Sequence, residues 1–113
     1  MRAGLTQRVS TSHGDIAFDV FGSGPPVVLV HGTPSSSAIW RQIAPGLASS
    51  HRVYVFDMLG FGESERHVEL ELSLAVHGQV LAELIGLWGL EAPAAVGHDI
   101  GGATVLRAHL LDA

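Results

Sequence analysis

Three short apolar runs constrain this chain more than anything else in it. Pro26 to Val30 is unbroken and rich in β-branched residues. Val53 to Phe56 and Ala94 to His98 repeat the pattern further along. Runs of this kind suit strands covered on both faces, as in a parallel sheet. The segments between them carry helical spacing. Leu74, His77, Val80, Leu81, Leu84 and Trp88 share one face, with Ser73 as a cap and Gly89 as the stop. Gly101 to Leu111 reads as a final helix. From Pro26 onward the order is strand, helix, strand, helix, strand, helix, which predicts an α/β fold with a parallel sheet.

The two remaining regions are less regular. Arg8 to Thr11 and Ile16 to Phe21 flank His13-Gly14-Asp15 and predict an antiparallel hairpin with one buried face. Ser35 to Ser37 can cap a helix presenting Ile39, Trp40, Ile43 and Leu47, which Pro45 and Gly46 should end or break early.

Composition excludes several functions. The 113 residues suit one small domain. A net charge of -5 with no basic stretch argues against a nucleic-acid partner or an anionic membrane surface. With no cysteine, disulfides, thiol catalysis and cysteine-zinc sites are ruled out. The N-terminus lacks the apolar core of a signal peptide, and no apolar run approaches the ~20 residues that span a bilayer. A cytoplasmic protein acting on a small molecule, without metal or cofactor, is the expectation.

The strongest chemical signal is Gly97-His98-Asp99-Ile100-Gly101-Gly102, between a predicted strand and a predicted helix. A nucleophile elbow is a sharp strand-to-helix turn that lifts one side chain above the sheet, so small residues must flank it. Gly97, Gly101 and Gly102 meet that need around Asp99. A dinucleotide loop fits poorly, because the spacing is not G-x-G-x-x-G and a carboxylate would repel a pyrophosphate. A helix cap fits Asp99 as well as a nucleophile does on this motif alone.

Two further motifs follow the earlier strands. His31-Gly32-Thr33-Pro34 comes directly after the first apolar run. In an acyl- or alkyl-transfer site the N–H after His-Gly can pair with the N–H after the elbow residue to form an oxyanion hole. Those donors would be the backbone N–H groups of Thr33 and Ile100. His31 reads as a support for the loop rather than a base. Asp57-Met58-Leu59-Gly60-Phe61-Gly62-Glu63-Ser64 follows the second run, and Asp57 and Ser64 are expected to make turn hydrogen bonds.

In this order, H-G-x-P, D-x-x-G-x-G-x-S and G-x-nucleophile-x-G-G resemble the α/β-hydrolase family, across essentially the whole chain from residue 8. The aspartate elbow preceded by His98 resembles the epoxide hydrolase and dehalogenase branches. The resemblance implies that Asp99 attacks an electrophilic carbon and forms an alkyl-enzyme ester, a step for which a carboxylate needs no base. A histidine would then activate water to hydrolyse the ester. Haloalkane dehalogenases hold halide with side-chain donors at the positions of Ile100 and Thr33, and Ile100 offers none. Epoxides and activated carbon–halogen bonds are therefore the implied substrates.

The family places its later strands, cap, catalytic acid and histidine after the elbow helix. Residues 1–113 are thus expected to be a partial α/β-hydrolase core, truncated after that helix, with none of its seven histidines in the base position. The third strand would lack its neighbour, and self-association through that sheet edge is expected. The alternative is a non-catalytic hydrolase-like chain serving as a binding module.

Overall fold

The computed structural model describes residues 5–32, 36–66 and 72–112. Thr33, Pro34 and Ser35, singled out in the sequence, lie outside the described residues, as does His67. Five strands form one mixed sheet: β1 (Gln7–Thr11), β2 (Gly14–Phe21), β3 (Pro26–Val30), β4 (Arg52–Phe56) and β5 (Ala94–Gly97). Their spatial order is β1-β2-β4-β3-β5. β1 and β2 form the antiparallel hairpin, β2 runs antiparallel to β4, and β3 pairs in parallel with both β4 and β5. This is the antiparallel hairpin followed by parallel strands and helices that the sequence predicts.

The unbroken apolar runs follow from double coverage. Alternate side chains of a strand face opposite sides of its sheet. Val28 and Val30 of β3, with Tyr54 and Phe56 of β4, join one core cluster. Val27 and Leu29, with Val53 and Val55, join a second cluster on the other face. Helix α2 (Leu74–Leu87) closes the first face with Val76, Val80, Leu81 and Leu84. Trp40 and Ala44 close the second.

Helix α2 begins and ends as its sequence dictates. The Ser73 hydroxyl accepts the Val76 N–H at 3.2 Å. At the other end Gly89 adopts φ +69°, its N–H bonds to Gly86 O, and the Leu90 N–H bonds to Ile85 O. That pair of bonds satisfies carbonyls the helix would otherwise leave free. The helix also anchors the hairpin tip: the Glu83 carboxylate accepts from Ser12 N and Ser12 Oγ at 2.9 and 2.8 Å.

The predicted helix after Ser35 is two pieces. A 3-10 turn (Ser37–Trp40) is capped by Ser36, and α1 (Ala44–Leu47) is a single turn. Pro45 lies in the first turn of α1, where its missing N–H costs nothing, so it opens this piece instead of ending it. The break turns Ile39 and Ile43 outward, at 38% and 53% exposure, so they are not core residues. The last helix, α3 (Ile100–Arg107), widens into a π turn over Ala108–Asp112.

No helix among the described residues is long and apolar enough to cross a membrane. β5 pairs only with β3 among the described strands, and Val96 on it is 43% exposed.

Candidate active site

The site forms where β3, β4 and β5 run out at the same end of the sheet. β5 ends at Gly97, and the His98 N–H still bonds to Val30 O at 3.0 Å. The chain then reverses within one residue. Asp99 has φ 58° and ψ -123°, and the Gly101 N–H closes the turn onto His98 O at 2.9 Å. These are the dihedrals of the first central residue of a type II′ turn, a place glycine usually takes. Holding an L-residue there costs on the order of 1–3 kcal/mol and needs surroundings that enforce it.

Three glycines supply that enforcement. A β-carbon at Gly97 would lie 2.5 Å from Gly101 C and from Gly102 Cα, so the strand and the helix start touch backbone to backbone. One at Gly101 would lie 2.3 Å from Val30 O, wedging α3 away from β3. One at Gly32 would lie 2.7 Å from His98 O and 2.8 Å from Asp99 Cβ. Gly102 differs from these: the nearest atom to a β-carbon there is Gly97 O, at 3.9 Å. The backbone does not require glycine at 102, contrary to the flanking rule read from the sequence.

Asp99 is exposed at this turn and its carboxylate makes no capping bond to α3. Asp99 thus occupies the N-cap position of α3 without the side-chain hydrogen bond of a cap. Ile100 opens α3, and the first N–H of a helix has no acceptor within it.

His31 is fully buried at the end of β3. Its Nε2 accepts the Met58 N–H at 2.8 Å, so the ring proton is on Nδ1, which donates to Gly32 O at 2.7 Å. Burial pushes its pKa below 6.5, opposed in part by the Gly32 bond and the charge of Asp57. Both ring nitrogens are engaged, so His31 is not available as a base. Phe61 stands edge-on to His31 and also meets His77, with ring centroids 5.8 and 6.3 Å apart. His77 is buried too, and burial followed by repulsion from His31 lowers its pKa.

The turn after β4 is scaffolding of unusual reach. Asp57 is buried; Oδ1 accepts the Ser37 N–H at 2.7 Å and Oδ2 accepts the Glu63 N–H at 2.8 Å. Gly60 and Gly62 take φ +87° and +54°, and a β-carbon at Gly62 would overlap the Asp57 carboxylate at 2.2 Å. Ser64 donates to Asp57 O and accepts the Ala17 N–H at 2.9 Å, tying the turn to β2. The bond from Asp57 to Ser37 was not foreseen. The available signal was an acid placed directly after a fully buried strand, since such a carboxylate must find donors.

Gly32, Gly97, His98, Asp99 and Gly101 are thus brought together, with His31 and Asp57 behind them. Other histidines lie elsewhere. His13 bonds to Gln79 at the hairpin tip, and His51 pairs with Ser50 before β4. His109 lines a groove of about 520 Å³ between α2 and α3, beyond the start of β5 and away from Asp99. No group of three or more His, Cys, Asp or Glu among the described residues is placed to hold a metal ion.

Comparison with known proteins agrees with this geometry. Residues 25–111 match the family described as alpha/beta hydrolase fold. Haloalkane dehalogenase 2 of Mycobacterium tuberculosis is 36% identical over 92 residues, which are 81% of this chain and 32% of that protein. Bifunctional epoxide hydrolase 2 of Sus scrofa is 41% identical over 90 residues, 78% of this chain and 16% of that protein. A crystal structure of an alpha/beta hydrolase fold protein from Burkholderia ambifaria superimposes with a TM-score of 0.91 at 46% identity, covering 96% of this chain and 40% of the other. The chain spans about a third of the length of the first curated relatives it matches.

Proposed function

The chain belongs to the α/β-hydrolase fold family, and within it we propose that Asp99 is the nucleophile of a hydrolase acting on epoxides or activated carbon–halogen bonds. The observation that carries this reading is the Asp99 turn. A strained, exposed carboxylate that makes no capping hydrogen bond to its helix is a costly arrangement for a turn to keep.

The chemistry runs in two steps. One Asp99 oxygen donates an electron pair to an epoxide carbon, the ring C–O bond breaks, and the ring oxygen takes that bond's electrons and then a proton from water. With an activated halide, the halide leaves with the electrons instead. An alkyl ester of Asp99 results. Water then adds to the ester carbonyl, and the N–H groups of Thr33 and Ile100 hold the oxyanion until the alcohol departs and the carboxylate is restored.

The second step needs a base. Among the described histidines, His31 and His77 are buried, His13, His51 and His109 lie away from Asp99, and His98 stands next to Asp99 in the elbow itself. By resemblance to the family, which carries its base after the elbow helix, we place the water-activating histidine in a larger protein that contains this sequence, with the chain alone a nucleophile that reacts once. General-base catalysis is typically worth ~10²–10⁴-fold, so the ester should accumulate. A cytoplasmic location completes the reading.

The test is intact-mass spectrometry of the 113-residue chain after incubation with styrene oxide. One stable adduct per chain is expected, and none with Asp99→Asn. Sustained turnover by this chain would contradict the missing base.

A second reading draws on β5. Its outer edge carries no partner among the described strands and Val96 is exposed, as in a chain that binds through strand addition or associates with itself. Concentration-dependent sedimentation abolished by a charged residue at Val96, with no adduct at Asp99, would favour it.

A further inference from the structure

Asp99 has a second chemical group beside it, and the fold brings the two together over Gly32. The point that a β-carbon of residue 32 would occupy lies 2.8 Å from Asp99 Cβ and 3.3 Å from His98 Nδ1. The imidazole and the stem of the carboxylate thus flank one small volume, open because residue 32 is glycine. His98 and Asp99 are both exposed there. The root of His98 is fixed: its N–H bonds to Val30 O at 3.0 Å, and its carbonyl accepts the Gly101 N–H at 2.9 Å. Those are backbone bonds, and among the described residues the His98 ring has no hydrogen-bond partner. His31, by contrast, spends both ring nitrogens on Met58 and Gly32. An anchored imidazole with both nitrogens uncommitted is able to hand a proton to a bound molecule.

We propose that His98 is a catalytic residue: it gives the epoxide oxygen its proton as Asp99 attacks, which makes epoxides the preferred substrate class. The proposal rests on Asp99 being the nucleophile. An Asp99 oxygen forms the new bond to an epoxide carbon, the ring C–O bond breaks, and its electrons go to the oxygen. The His98 imidazolium transfers a ring proton to that oxygen, in place of water, and becomes neutral imidazole, which regains a proton from solvent. Displacement expels the oxygen on the side away from the attacking carboxylate. Its proton donor must therefore stand beside the carboxylate and clear of it, as the His98 ring does across Gly32. A halide departs as a stable anion and has no use for the proton. The other described residues at the turn, Gly32, Gly97, Ile100 and Gly101, carry no side-chain proton to give.

Two probes of similar size separate the proton from the attack. Ester formation at Asp99 is followed by peptide mapping with styrene oxide, which needs the proton, and with benzyl bromide, which does not. His98→Gln keeps a polar side chain but has no acidic proton. Its styrene oxide rate should fall about 10²–10⁴-fold, the usual worth of general acid–base catalysis. Its benzyl bromide rate should hold, which also reports that the Asp99 turn is intact. In His98→Ala, added imidazole should restore much of the styrene oxide rate, because residue 98 is open to solvent.

Equal losses with both probes would make His98 a part of the turn's structure and overturn the proposal. So would an unchanged styrene oxide rate in His98→Gln, a failure of imidazole to rescue His98→Ala, or an Asp99 ester from benzyl bromide alone in the unaltered chain. No Asp99 ester from either probe in the unaltered chain would defeat the nucleophile reading itself, and this proposal with it.

Discussion

Gly32 sits against Asp99 so closely that a β-carbon at residue 32 would lie 2.8 Å from the Cβ of Asp99. Real β-carbons do not approach that near, so the loop after β3 and the turn after β5 have room for each other only because residue 32 lacks one. Two motifs separated by more than sixty residues in sequence thereby share one small volume.

Gly32→Ala should therefore damage both the fold and the site. The neighbours it would strike include the His98 carbonyl, which is backbone and cannot swing aside. Overpacking of this kind typically costs about 1–3 kcal/mol. Gly102→Ala should do the opposite, because nothing lies within 3.9 Å of its added methyl and alanine suits a helix better than glycine by roughly 0.5–1 kcal/mol. Urea midpoints should fall for the first and rise for the second. A destabilised Gly102→Ala would show that the elbow is tighter than its backbone spacing indicates.

Asp99 itself should be replaceable at a gain in stability. Asp99→Gly relieves a positive φ that costs on the order of 1–3 kcal/mol, offset in part by the greater freedom of glycine in the unfolded chain. A higher melting temperature together with complete loss of styrene oxide adduct is expected. A lower melting temperature would mean that the carboxylate supports the fold.

Acid should weaken the fold through His31 and His77. Burial lowers both pKa values below 6.5, so the native state favours the neutral rings while the unfolded chain protonates normally. The unfolded state then binds more protons, and stability rises with pH across that interval. The contribution is full above pH 6.5 and is lost as pH falls through the native pKa values. For His31 the loss has a structural form, since a protonated Nε2 cannot accept the Met58 N–H. Urea midpoints should be level above neutrality and drop below pH 6.5. His77→Phe should shallow that drop, and an unchanged slope would assign the acid sensitivity to His31 or to the carboxylates.

The legible parts of this chain were those with local physical causes. Val28 and Leu29 read as buried strand because both faces of β3 are covered, and Ser73 and Gly89 marked the ends of α2 because orphan backbone groups need partners. The elbow was legible for the same reason: Gly97 and Gly101 stand where a side chain would meet backbone. What sequence spacing could not give was partnership at a distance. Ile39 and Ile43 carried helical spacing, yet the break before Ala44 turned them to solvent. Asp57 read as a local turn residue, and only the parallel pairing of β3 with β4 brings it to Ser37.

The most direct test of Asp99 as nucleophile follows one oxygen atom. The chain is treated with styrene oxide, the ester is left to hydrolyse slowly in water enriched in oxygen-18, and peptides are mapped by tandem mass spectrometry. If Asp99 attacks carbon and water attacks the ester carbonyl, the heavy oxygen appears in the Asp99 carboxylate and the first diol released carries none. Heavy oxygen in that first diol, with the Asp99 peptide unchanged, would mean that water reached the epoxide directly and that Asp99 is not the nucleophile.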